Sequence, residues 1–168
     1  MMKQFLFDFE HHDMFAGLEA TGCVRTQNIY PIKSQDSSIR VVFENLHASC
    51  SVQLDVADHP ATWDASGDVA VSLMLSPDTS GEGYVGHNVK VLHRYTSFEH
   101  LPFRYIPVRE VLTRTQIWID SCPYNSLKNF MYNVLGNPNT GSLFFGIAAS
   151  AHRHFSEPGG LAKHSLEV

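Results

Sequence analysis

Between Val24 and Tyr95 the chain is punctuated at short intervals, and that punctuation limits what it can fold into more than any other feature. Five segments rich in β-branched and aromatic residues cover 24–32, 39–44, 48–56, 68–75 and 86–95. They are bounded by Lys33-Ser34-Gln35-Asp36-Ser37-Ser38, Asp58-His59-Pro60, Ser66-Gly67 and Pro77-Asp78-Thr79-Ser80-Gly81, clusters whose backbone preferences end strands. Ser51, Val52, Gln53, Leu54, Asp55 and Val56 alternate strictly, and Val69, Val71, Leu73 and Leu75 repeat the period of two. That period belongs to strands with one face on a core and the other in water.

Five strands in so short a span make a small β-barrel, and an insertion at 57–67 between the third and fourth strands is the pattern of an OB-fold. An SH3-like barrel or a small sandwich fits the strand count as well. A chain of 168 residues, 43% hydrophobic and 17% charged, is long enough for one compact domain or a small domain with a helical piece attached. The expected class is α+β, with residues 1–22 as an N-terminal arm, 23–95 as an OB-like barrel, 96–120 as a connector and 121–168 as a helical segment.

Net charge bears on partners. At −5 the chain offers no globally basic surface, so any nucleic-acid strand must be held by a local groove. The candidates for such a groove are the aromatic and imidazole rings of Tyr30, Phe43, Tyr84, His93 and Tyr95, with the cations Arg25, Lys33, Arg40, Lys90 and Arg94. Eight acids stand against those five cations in residues 24–95, and aromatic side chains in strands commonly belong to the core.

Cys23, Cys50 and Cys122 are odd in number and lack C-x-x-C spacing, so they read as reduced thiols of a cytoplasmic protein. No run approaches the length of a membrane span, and the N-terminus lacks the apolar stretch of an export signal. The Asp8-Phe9-Glu10-His11-His12-Asp13 run is rich in potential metal ligands. Adjacent strand residues point to opposite faces, however, so it reads as a surface cluster.

After Tyr95, Leu101-Pro102 and Ile106-Pro107 favour an extended connector, carrying Arg104, Arg109 and Arg114. Residues 116–120 are a short strand or the lead-in to a helix. That helix has Asp120 or Ser121 as cap and Pro123 in its first turn. Leu127, Phe130, Met131, Val134 and Leu135 form a one-sided stripe, ended by Gly136 and Pro138. A second helix over 142–154, with Leu143, Phe144, Ile147, Ala148 and Ala151 on one side, is its expected partner; apolar surface left over would favour a homo-oligomer.

The tail from Ala148 to Val168 carries the chemistry. His152 and His154 form a His-x-His pair, Pro158-Gly159-Gly160 is a turn, and His164 lies just inside a new helix. Imidazoles brought back towards one another by such a turn can surround a metal ion. The run P-G-G-L-A-K-H-S-L-E-V, preceded by a small-residue helix end and H-R-H, resembles the opening of HD-superfamily metal-dependent phosphohydrolase domains. Within that superfamily it is similar to 3′→5′ exoribonucleases that join an OB-fold to an HD domain, and to HD-type conjugative relaxases.

The resemblance implies that His164 is the first metal ligand, that His152 and His154 are accessory ligands or phosphate contacts, and that single-stranded RNA or DNA is the partner. It also implies a divalent metal ion (Mn, Mg or Fe) in a complete HD domain. The later His-Asp pair and further Asp of that family have no counterpart in the tail, so the expectation is a catalytically incomplete portion. The rival expectation is a non-enzymatic binding or assembly module. Walker, G-x-S-x-G and H-E-x-x-H motifs are absent from the sequence.

Overall fold

The structure, a computed structural model, describes residues 18–25, 30–31, 38–55, 67–79, 83–102, 109–150 and 154–168. Six strands precede four helices. The strands are β1 (Leu18–Arg25), β2 (Tyr30–Pro31), β3 (Ser38–Glu44), β4 (Ser49–Asp55), β5 (Asp68–Pro77) and β6 (Tyr84–Val91). The helices are α1 (Arg109–Asp120), α2 (Asn125–Leu135), α3 (Pro138–Gly146) and α4 (Gly160–Glu167).

The strands run in the order β1-β5-β6-β4-β3-β2, and a further β1–β3 pairing closes the sheet on itself. Without the two-residue β2, the closed circuit is the first, second, third, fifth and fourth of five strands, with β4 and β6 parallel and the other pairs antiparallel. Closure removes the free edges that would otherwise template aggregation. β2 continues the line of β1 along β3: Val24 pairs with Phe43 and Tyr30 with Arg40.

Alternation decides what fills the barrel. Val24 and Ala20 of β1, Val41 and Phe43 of β3, Val52 and Leu54 of β4, Val71, Leu73 and Leu75 of β5 and Tyr84 of β6 meet in one core. Gly22 makes room for the largest of them, since a Cβ there would lie 2.5 Å from Cζ of Phe43. A bulge in β6 shifts its register against β5 between Ser72 and Met74, and Asn88 takes the left-handed backbone there (φ 54°).

A second core joins the barrel to the helices. Leu46 from the β3–β4 turn, Phe98 and Leu101 from the stretch after β6, Leu112 and Ile119 of α1, Tyr132 of α2, Phe145 of α3 and Ala162 of α4 pack together. Phe98 meets Phe145 edge-on at 5.4 Å and Tyr132 at 5.4 Å. Asn139 of α3 adds a polar clasp: its Oδ1 accepts from Asp68 N (3.1 Å) and its Nδ2 donates to Asp68 O (3.1 Å), a paired bond like one rung of a sheet.

The class and the small barrel agree with the sequence analysis, while several element boundaries differ for identifiable reasons. β1 begins at Leu18, inside the span taken as an arm, and β6 ends at Val91 rather than 95. The span taken as an extended connector contains α1, a helix whose buried residues Leu112, Thr115 and Ile119 fall at i, i+3 and i+7. Its β-branched residues obscured that period. The Asn137-Pro138 pair that stops α2 also starts α3, with Asn137 Oδ1 accepting from Asn139 N (2.9 Å) and Thr140 N (3.3 Å). α3 then ends at Gly146, well short of 154. Ala149 N bonds to Phe155 O instead, and Leu161 N to Ile147 O.

Candidate nucleic-acid interface

On the outer face of β3 and β4, Arg40 stands opposite Gln53, and Gln53 Nε2 donates to Ser38 Oγ at 3.2 Å. Tyr30 pairs with Arg40 from the other side through its backbone. The parallel β4–β6 contact places Gln53 beside Val85, and the same surface continues over β6 to His87, which shares a 3.1 Å hydrogen bond with Ser76 Oγ. At the β6 bulge a groove of about 500 Å³ is lined by Glu19, Ser72, Met74, Asn88 and Lys90. Ser72 Oγ donates to Glu19 Oε1 across it (2.6 Å), and Lys90 is exposed at its margin.

The residues proposed for strand binding divide sharply in this setting. Arg40, Lys90, His93 and Arg94 are all exposed. Arg25 is half-engaged, its Nε 3.3 Å from Oδ1 of the nearly buried Asp68. Lys33 lies outside the described residues.

Phe43 must be reassigned: fully buried in the barrel, it cannot stack on a base. Tyr84 is likewise a core residue. Tyr95 is committed to packing, its ring stacked on His100 (4.6 Å between centroids, 16° between planes) and its hydroxyl donating to Leu92 O at 3.2 Å. An inward position on an alternating strand explains Phe43 and Tyr84, whereas Tyr95 is claimed by a histidine five residues on.

That histidine is the buried polar centre of the junction between the two cores. The His100 ring nitrogen Nε2 donates to Gly136 O at 2.6 Å, and Cys23 Sγ donates to the His100 carbonyl at 3.0 Å. Burial lowers the imidazole pKa below its usual 6.5, against smaller opposing effects of the Gly136 hydrogen bond and of Glu99. His100 therefore works as a neutral hydrogen-bond donor, not as a surface cation. Phe98 before it and Leu101-Pro102 after it are the local signal of a buried segment rather than a solvated linker.

Nearby, Arg109 Nη2 donates to His47 Nδ1 (3.3 Å) beside a cleft of about 220 Å³ lined also by Leu46, Phe98, Glu99 and Leu112. The pair joins the β3–β4 turn to the first residue of α1. The separation of 62 positions hid it from any local motif.

In the tail, Gly159 adopts the left-handed conformation (φ 81°) and opens α4, which an isolated chain of eight residues would not sustain. Packing against α1 and α3 and burial of Ala162 hold it. His164 is exposed on this helix with its ring 5.3 Å from that of Phe155, and His154 is exposed as well. His152 lies outside the described residues.

Among the described residues no group of three His, Cys, Asp or Glu side chains comes together to hold a metal ion. The described residues thus do not by themselves assemble the divalent-metal site that the HD resemblance implies. Also among them, no helix is long and apolar enough to cross a membrane. A scan against protein-family models finds no match for this chain, and no curated protein matches it.

Proposed function

We propose that this chain is the nucleic-acid-guiding portion of an HD-type phosphohydrolase acting on single strands in the manner of a 3′→5′ exoribonuclease. The observation that carries the reading is the barrel's connectivity: five strands closed in the order first, second, third, fifth, fourth, with the third and fifth parallel. We read this as OB-like. Supporting it is the order of parts, barrel first and then helices that end in the left-handed Gly159 turn and the His164 helix. A cytoplasmic location belongs to the same reading, supported by Cys23, Cys50 and Cys122 all being outside disulfides.

The character of binding follows from which side chains remain available. Phe43, Tyr84 and Tyr95 are occupied in packing, so among the candidate rings described only His93 is open to stacking, and affinity rests mainly on phosphate contacts by Arg40, Lys90 and Arg94. Three such contacts give a slope of about −2 in log K against log salt for a single strand. Fluorescence anisotropy with labelled single-stranded RNA and its DNA equivalent, at low and near-physiological salt, tests this. RNA preference with that slope, reduced by about 1.4 when Arg40→Ala and Lys90→Ala are combined, is the expected result. DNA preference would favour the relaxase-like alternative, and salt-independent binding or none would overturn strand guiding.

The second reading, a non-enzymatic assembly module, is favoured by a different observation. Trp118, Tyr124, Leu127 and Phe130 on the helical layer are exposed at 58%, 70%, 47% and 63%.

A further inference from the structure

The groove at the β6 bulge holds two opposite charges that do not meet. Glu19 and Lys90 both line it and both are exposed, yet among the described residues no ion pair joins them. Strand register sets their places. Val71, Leu73 and Leu75 of β5 enter the core, so Ser72 and Met74 face outward. Ser72 stands opposite Lys90, and Met74 stands opposite Glu19 on one side and His87 on the other. Two steps along β5 thus span three along β6, and the bulge carries Asn88 in the left-handed conformation (φ 54°) with its Nδ2 3.4 Å from Met74 Sδ.

On the β1 side, Ser72 is only 6% exposed and donates to Glu19 Oε1 at 2.6 Å. That bond orients the carboxylate while leaving Oε2, and a further lone pair on Oε1, to accept from a ligand. We propose that this groove is a guanine-selective subsite for a single strand, with Glu19 receiving the edge of the base and Lys90 a phosphate. The inference rests on the strand-binding reading and adds base preference to it.

Donor pattern selects the base. A carboxylate only accepts, and the Watson–Crick edge, which single strands leave open, offers it two adjacent donors in guanine alone: N1–H and the N2 amino group. Cytosine and adenine each place a ring acceptor beside their amino group, and the uracil N3–H lies between two carbonyls, so all three set lone pairs against the carboxylate. Asn88 has an amide hydrogen beyond its contact with Met74, a donor suited to guanine O6. Met74, partly buried, offers a polarizable thioether to the ring.

Size and charge agree. A groove of about 500 Å³ falls within the ~300–1,000 Å³ of small-ligand sites and accommodates one nucleotide. An acid on a strand-binding surface repels phosphate, and Lys90 at the margin offsets that cost where the base is held. A free zwitterionic amino acid would satisfy the two charges as well but gives the Asn88 amide no role.

Fluorescence anisotropy should compare a labelled oligouridine with the same strand carrying one central guanine, and with inosine there, which keeps N1–H and lacks the amino group. The guanine strand should bind about tenfold more tightly than oligouridine, and inosine should fall between them. Glu19→Gln, at an exposed position and with an acceptor kept for Ser72, should abolish the preference without weakening oligouridine binding. Lys90→Ala should weaken all three strands alike.

Equal binding of the three strands, or a guanine preference that survives Glu19→Gln, overturns the subsite and leaves strand guiding standing. If no strand binds, strand guiding fails, and guanosine monophosphate titrated against backbone amide chemical shifts decides the groove alone. Shifts at Asn88 and Lys90 that vanish in Glu19→Gln sustain the subsite. Their absence, or the same shifts produced by glycine, overturns it.

Discussion

Asn139→Ala should loosen the barrel from its helical layer by an amount that the structure allows to be worked out. The side-chain amide accepts from Asp68 N and donates to Asp68 O, both at 3.1 Å, and these two bonds connect α3 to the first residue of β5. Neutral hydrogen bonds contribute about 0.5–1.5 kcal/mol each, so the loss should be about 1–3 kcal/mol. In a protein of this size that corresponds to a fall in Tm of about 3–9 °C.

Asn139→Asp is the informative companion. It keeps the acceptor for Asp68 N and removes the donor to Asp68 O, so about half of the hydrogen-bond loss should remain before the added charge near Asp68 is counted. Urea unfolding followed by circular dichroism gives the energies, and native-state hydrogen exchange gives the mechanism. The Asp68 amide should lose protection in Asn139→Ala and retain more of it in Asn139→Asp. An alanine variant within 0.3 kcal/mol of the parent, or one that leaves Asp68 protection intact, would falsify the clasp.

Two further consequences follow from burial of titratable groups. His100 is neutral in the fold with its pKa held below 6.5 by desolvation, so the unfolded chain takes up a proton at a higher pH than the native protein does. Its contribution to stability is therefore complete above pH 6.5 and is lost as pH falls towards the folded value; chemical unfolding between neutral and mildly acid pH should show a shallower decline in His100→Gln than in the parent. Cys50, whose thiol is pushed up to about 12 by burial, should resist alkylation at mildly alkaline pH in the native protein and react on addition of denaturant, read by mass spectrometry. Rapid native labelling of Cys50 would refute its enclosure in the barrel wall.

The barrel was legible because alternation is a local signal. Val52 and Leu54, or Leu73 and Leu75, announce an inward face through nothing more than spacing, and the structure buries all four. The same rule carried the information that Phe43 faces inward, but an aromatic in a presumed strand-binding fold invites a surface reading. Local patterns were weaker where two signals competed. In α1, Val111, Thr113, Thr115, Ile117 and Ile119 favoured extension while Leu112, Thr115 and Ile119 marked a helix, and tertiary burial of that second set decided the outcome.

The candidate interface was read less completely, since its cations were identifiable by type but not by neighbourhood. Arg25 and Asp68 are 43 positions apart, and Asn139 and Asp68 are 71 apart. No window on the chain contains either pair.

By itself the sequence determined the α+β class, a small barrel followed by helices, the Gly-Gly turn before His164 and the acidic balance that restricts any strand binding to a local surface. These depend on side-chain periodicity, backbone permissiveness and charge, all of which act within a few residues. Tertiary structure alone decided the circular order of the strands, the commitment of Tyr95 to packing, the burial of His100 and the outward turn of Leu127, Phe130 and Val134. The physical reason is competition for the second core: α2 has apolar residues on more than one side, and Phe98 and Phe145 take Tyr132 as their partner, leaving the stripe of strongest periodicity in solvent.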